Sequence, residues 1–263
     1  VTDYVVIEKE RESREGPAEP VRVAVFGVLG VDADECAPMS GMEFEPVAAA
    51  AKRVVAQIQA EADADFVICL SHSGTNENAK KSEDEQLAKE VEGIDLIISG
   101  HTHTTLAEPI LVEDTYIVSS GPYCQNLGSI TLRWDESGEK ELVDYHLTPI
   151  DETVPEDTEI SLLVEDWERQ VGGTYLSRYG FGYDEVLTTA GFDLLTPDSG
   201  VQEGNALGEL VADAYLWAVE NLEADSPDVE TVTVTASGVL RAPLYAGDLT
   251  VSQAFDVLSM GVG

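Results

Sequence analysis

The chain has 263 residues, 43% of them hydrophobic and 25% charged, a globular composition with enough length for one sizeable core or two modest ones. Its 51 acidic residues against 14 basic ones leave a net charge of −37, which repels phosphate backbones and anionic lipid and argues against a nucleic-acid polymer or a membrane surface as partner. An anionic substrate fits such a field only where fixed cations reverse its sign locally, and a bound divalent metal is the strongest such cation.

In chain order, Tyr4 to Glu8 alternates like an edge strand, and Val21 to Gly30 is an apolar run that reads as a central strand ending in glycine. After a loop from Asp32 to Pro46, Val47 to Ile58 repeats apolar residues every three or four positions and predicts a helix. Phe66 to Leu70 predicts a buried strand, residues from about Ser82 to Val91 a helix, and Ile94 to Ile98 another strand. Strand alternating with helix predicts a layered α/β domain. Thr115 to Ser120 follows as a strand; Ser129 to Trp134 and Leu142 to Leu147, joined by a turn at Asp135 to Glu139, form a hairpin pattern. A break at Thr148 to Pro155 precedes a helix from Asp157 to Gln170 ended by Gly172-Gly173. The remainder predicts a helix from about Asn205 to Leu222, a strand from Thr231 to Thr235 and a turn at Ala236-Ser237-Gly238. No apolar run approaches the roughly 18 residues of a transmembrane helix. Cys36, Cys69 and Cys124 are too widely spaced for a disulfide framework or a cysteine zinc knot.

Three of the four histidines directly follow the two central apolar runs, in Ser71-His72-Ser73-Gly74 and Gly100-His101-Thr102-His103. Ligands of open α/β sheets gather beyond the carboxyl ends of the strands, so both groups are expected at one crevice. A lone histidine after a strand is commonly structural. A His-x-His pair with a third imidazole from the neighbouring strand points to a metal, since imidazole is the commonest protein ligand for first-row divalent ions. Gly100 is expected to supply the unusual backbone shape of the second loop. His146 alternates within an ordinary half-exposed strand and is assigned no function.

Those motifs, Cys69 to Gly74 and Ile98 to Thr104, resemble the last two metal-ligand motifs of the calcineurin-like metallophosphoesterases, in the branch of 5′-nucleotidases, UDP-sugar hydrolases and 2′,3′-cyclic-nucleotide phosphodiesterases. Glu203 to Ala214 resembles the opening helix of that branch's C-terminal domain, and Gly238-Val239-Leu240-Arg241-Ala242 its substrate loop. The resemblance implies the C-terminal part of an αββα catalytic sandwich over 1–150, a linker and connecting helix over 151–176, and part of an α/β substrate-binding domain over 177–263. It implies two divalent ions, Zn, Mn or similar, with His72 and His101 on one and His103 on the other. Arg241 and Gly238 would then meet a nucleotide or related small phosphate ester. Such relatives are extracellular, periplasmic or attached to the cell surface, and no signal peptide is recognisable here.

The same comparison exposes departures. The family's earlier Asp-x-His, Gly-Asp and Asn-His motifs, which complete both metal spheres and supply a catalytic histidine, are missing from this sequence. The chain therefore reads as a fragment, with no confidently assigned catalytic residue and no activity of its own expected. Ala236 stands where the family's nucleotidases carry Asn, Met260 where they carry a base-stacking Phe, and Gly200 is nearest to an expected Arg. Losing a stacking ring removes about 1–3 kcal/mol per base, which puts ordinary nucleotide recognition in question. The alternative is a catalytically inactive surface binding module of the same fold. A mononuclear three-histidine zinc protein is a third reading.

Overall fold

The computed structural model describes residues 2–10, 20–36, 39–134, 140–197, 204–222 and 231–259. The expected turn at 135–139, and Gly200, Glu203 and Met260, lie outside the described residues. The chain divides into two compact units, 1–155 and 156–263.

In the first unit, strands β1 (Tyr4–Lys9) and β2 (Val21–Leu29) precede helices α1 (Val31–Glu35) and α2 (Val47–Glu61). Then come β3 (Phe66–His72), α3 (Glu83–Glu90), β4 (Leu96–Ser99), β5 (Ile110–Val112) and β6 (Thr115–Val118). Six strands form one sheet in the order β1-β2-β3-β4-β6-β5, with β2, β3, β4 and β6 parallel and β1 and β5 antiparallel at the edges. A separate antiparallel pair follows, β7 (Asn126–Trp134) and β8 (Lys140–Pro149).

Alternation along the strands sorts side chains into two cores. Ala24, Phe26, Val67, Cys69, Ile97 and Ile117 pack against Val54, Val55 and Ile58 of α2 and Leu87 of α3. Their neighbours Phe66, Leu96, Tyr116 and Val118 point the other way, onto Ile130, Leu132, Leu142 and Tyr145 of the β7–β8 pair. Helices thus cover one face of a mostly parallel sheet and a second sheet lies on the other, which accounts for strands that are apolar on both faces. Part of that second face, at Val5, Ile7, Leu70 and Ile98, stays exposed.

The second unit holds α4 (Thr158–Thr174), a 3-10 turn at Leu176–Tyr179, β9 (Val186–Ala190), α5 (Ala206–Leu222), β10 (Gly247–Thr250) and α6 (Val251–Val257). β9 and β10 pair antiparallel, and Leu207, Val211, Leu240, Leu244, Leu249 and Val257 make its core. Two expectations fail here. α4 runs through Gly172 and Gly173, and the chain turns only at Gly180, whose φ of 83° is left-handed. Asp157 starts that helix by accepting from the amides of Glu159 and Ile160. Residues 231–236 form no strand, and among the described residues none pairs with them: Val232 and Val234 are over four-fifths exposed.

Candidate metal centre

His72 closes β3 and His101 lies two residues past β4, so the parallel pairing of these strands brings both to one edge of the sheet. Their ring centroids are 4.9 Å apart, with planes tilted by 54°. The backbone ladder continues beyond the strands: the Gly100 amide donates to Ser71 O at 2.9 Å and the Gly30 amide to His72 O at 3.1 Å. A third strand end, that of β2, is thereby tied to the same edge.

From it α1 departs with its first amides capped by a carboxylate from α3. Val31 N and Asp32 N donate to Glu83 Oε2 and Oε1 at 2.9 and 3.1 Å, partners that a helix start otherwise lacks. This sets Asp32 Oδ2 at 2.8 Å from His101 Nε2. Cys36, one helical turn on, donates its amide to Asp32 O. Among the described residues Asp32, Cys36 and His101 form a group whose donor atoms all lie within 4.8 Å of one another. In the sequence Asp32 and Cys36 read only as part of the loop from Asp32 to Pro46. Their four-residue spacing directly beyond a central strand was the available signal, since i and i+4 share a helix face.

The unusual backbone sits one residue later than expected. Gly100 does not adopt a left-handed conformation, whereas His101 and His103 do, at φ of 77° and 57°. A Cβ on Gly100 would meet Ser71 O at 3.4 Å and His72 Nδ1 at 3.5 Å, ordinary contacts. Gly74 is the constrained glycine: its φ is 96°, and a Cβ there would come within 2.3 Å of Thr102 Cγ2. That close approach, with the Thr75 amide donating to Thr102 Oγ1 at 3.2 Å, stitches the two histidine loops together.

Beneath them lies a wholly buried carboxylate. Asp84 of α3 accepts from Ser71 Oγ at 2.5 Å and from the Gly74 amide at 3.2 Å, on either side of His72. Burial pushes its carboxyl above the usual range, against the pull of those hydrogen bonds. Burial likewise pushes the Cys69 thiol far up, so that it behaves as a small apolar residue.

His103 turns its ring edge-on to Tyr123, with centroids 5.2 Å apart. His146 is exposed, its Nδ1 2.8 Å from Asp144 Oδ2. In the second unit Gly238 lies in a 3-10 turn, and the Arg241 guanidinium donates to its carbonyl at 3.2 Å. Beside that turn a cavity of about 260 Å³ is lined by Asn205, Gly208, Ser237 and Leu240 among others.

This arrangement of parallel sheet and histidine loops agrees with the family model for the calcineurin-like phosphoesterases, which matches residues 39–105 and so includes all three histidines. Over residues 39–105 the chain is thus similar to the calcineurin-like phosphoesterases. It is 29% identical over 246 residues to the trifunctional nucleotide phosphoesterase protein YfkN of Bacillus subtilis, an alignment covering 91% of this chain and 16% of that protein. A solved 5′-nucleotidase precursor from Thermus thermophilus matches its fold with a TM-score of 0.71 at 22% identity, covering 98% of this chain and 49% of that one. The sulfate thiohydrolase SoxB of the same organism matches with a TM-score of 0.63 at 20% identity, over 97% and 41% of the two chains. The chain thus spans less than half the length of each. A fold shared by a nucleotidase and a sulfate thiohydrolase does not by itself choose the ester.

Proposed function

We propose that this chain supplies His72, His101 and His103 to a dinuclear divalent-metal centre that hydrolyses phosphate esters, with nucleotides or related small molecules as substrates. The observation that supports it most is the pairing of the His72 and His101 rings at the carboxyl edge of the sheet, inside the stretch that matches the family model. The donors suit the group: imidazoles bind Zn or Mn without cancelling the charge an anionic substrate needs. When bound, such ions polarise a phosphoryl oxygen and acidify a water.

The chain's own residues present and hold the ligands. Asp84 fixes Ser71 and Gly74 around His72, and Thr102 locks the second loop onto the first. In the second unit Arg241, anchored on Gly238 O, receives phosphate or ribose oxygens through its planar fork. Three imidazoles leave most of two coordination spheres to other donors. The chain alone is therefore expected to bind Zn²⁺ or Mn²⁺ weakly and to release no p-nitrophenol from p-nitrophenyl phosphate. We assign the protein an extracellular, periplasmic or surface location on the family resemblance; among the described residues no helix is long and apolar enough to cross a membrane.

The test is phosphate release from a panel of nucleotides and cyclic nucleotides by the complete gene product, supplied with Mn²⁺ or Zn²⁺. Release that depends on the ion and falls at least about 100-fold in His101→Gln is expected, the upper end of what even outer partners of metal ligands contribute. Release unaffected by chelation, or by this substitution, overturns the reading.

A further inference from the structure

We propose that Asp32 and Cys36, with His101 shared from the imidazole pair, form a second cation site, suited to a thiophilic divalent ion such as Zn²⁺ or Cd²⁺. The inference needs neither His72 nor His103 and does not rest on the phosphoesterase reading. One carboxylate oxygen, one thiol sulfur and one imidazole nitrogen lie mutually within 4.8 Å, close enough for a single ion to draw all three in. Sulfur in that set sets it apart from a centre of nitrogen and oxygen donors, because thiolate selects soft or borderline ions.

The cluster is also held in place from three directions. Asp32 and Cys36 are fixed one turn apart by the Cys36 amide bonding to Asp32 O. The turn itself is pinned at its start by the two hydrogen bonds to Glu83, and the residue before it by the Gly30 amide on His72 O. His101 is set opposite by its left-handed backbone, with its Nε2 directed at Asp32 Oδ2. Its side chain is only 16% exposed, whereas Cys36 is exposed and therefore open to an incoming ion. Binding is a simple exchange: the Cys36 thiol proton and any proton shared between His101 and Asp32 pass to solvent as sulfur and nitrogen lone pairs go to the metal. His101 is common to this group and to the His72 pair, so the two cannot use the same ring nitrogen at once.

Titrating the purified chain with Cd²⁺ and following the ultraviolet thiolate-to-cadmium charge-transfer absorption tests this directly. The band should saturate at one ion per chain, disappear in Cys36→Ser, and need at least about tenfold more Cd²⁺ in Asp32→Asn and in His101→Gln. It should be unchanged in Cys69→Ala, Cys124→Ser and His72→Gln, with circular dichroism confirming that each variant is folded. The proposal is overturned by absence of the band, by a band that follows Cys69 or Cys124, or by one that survives both Asp32→Asn and His101→Gln and so reports a thiol acting alone. A band lost in folded His72→Gln also overturns it, since the ion then belongs to the imidazole pair. Because the readout is binding, a failure of the hydrolase reading leaves this result untouched.

Discussion

His101 and His103 both hold left-handed backbone, a conformation that costs an L-residue about 1–2 kcal/mol and is retained where surrounding structure enforces it. What enforces it here is the neighbouring loop, through Gly74 against Thr102. Gly74→Ala should therefore destabilise the chain by about 2 kcal/mol or more in urea titrations, combining a left-handed alanine with a clash. Gly100→Ala, with only ordinary contacts waiting for its Cβ, should cost under about 1 kcal/mol. Equal costs would mean that the loops are not locked as described. Histidine positions were legible in the sequence because they follow strongly apolar strands. Which residue bends the backbone was not, since that depends on how closely the loop after β3 approaches the loop after β4.

Secondary-structure elements show the same division. α2, β2, β3 and β4 are legible because each must bury a continuous stripe or both faces, and their apolar periods say so. β9 and β10 carry no such pattern: one is mostly exposed, the other contains Gly and Asp, and they pair across some sixty residues. α6 did carry a signal, the capping box of Thr250 with Gln253. In α4 the glycine pair reads as a stop in the sequence, yet glycine only weakens a helix, and Gly173 faces open space. Gly173→Ala should stabilise the protein by about 0.5–1 kcal/mol; destabilisation would contradict that placement.

α3 contributes an element-scale effect through Asp84. Its folded carboxyl lies above the usual value, so the folded state holds this proton more tightly than the unfolded one. The stability from that proton is complete below the usual aspartate range and is lost as pH rises through the elevated folded value. Urea stability measured across acid to neutral pH should thus fall less steeply with rising pH in Asp84→Asn than in the parent. An unchanged slope would remove Asp84 as its source.

Over the whole molecule, a charge of −37 makes every unit of folding work against self-repulsion. Ion pairs such as those of Arg53 with Asp3 and Glu45 lie on the surface, where each offsets little of it. Added salt screens the repulsion, so the denaturation midpoint should rise between low and roughly 1 M NaCl, where the Debye length falls to about 3 Å. A midpoint that falls would place attractive pairs, not repulsion, in control. Acid composition was fully legible in the sequence; which carboxylates meet the histidines was decided by the fold.

Four histidines make one measurement decisive. Mn²⁺ added in small amounts to the chain broadens the proton NMR signals of the imidazoles that approach it. Ring signals of His72, His101 and His103 should broaden well before that of His146, which sits exposed beside Asp144 and reports loose attraction to the acidic surface. Broadening of all four in parallel, or of His146 first, would contradict a metal centre at the carboxyl edge of the sheet.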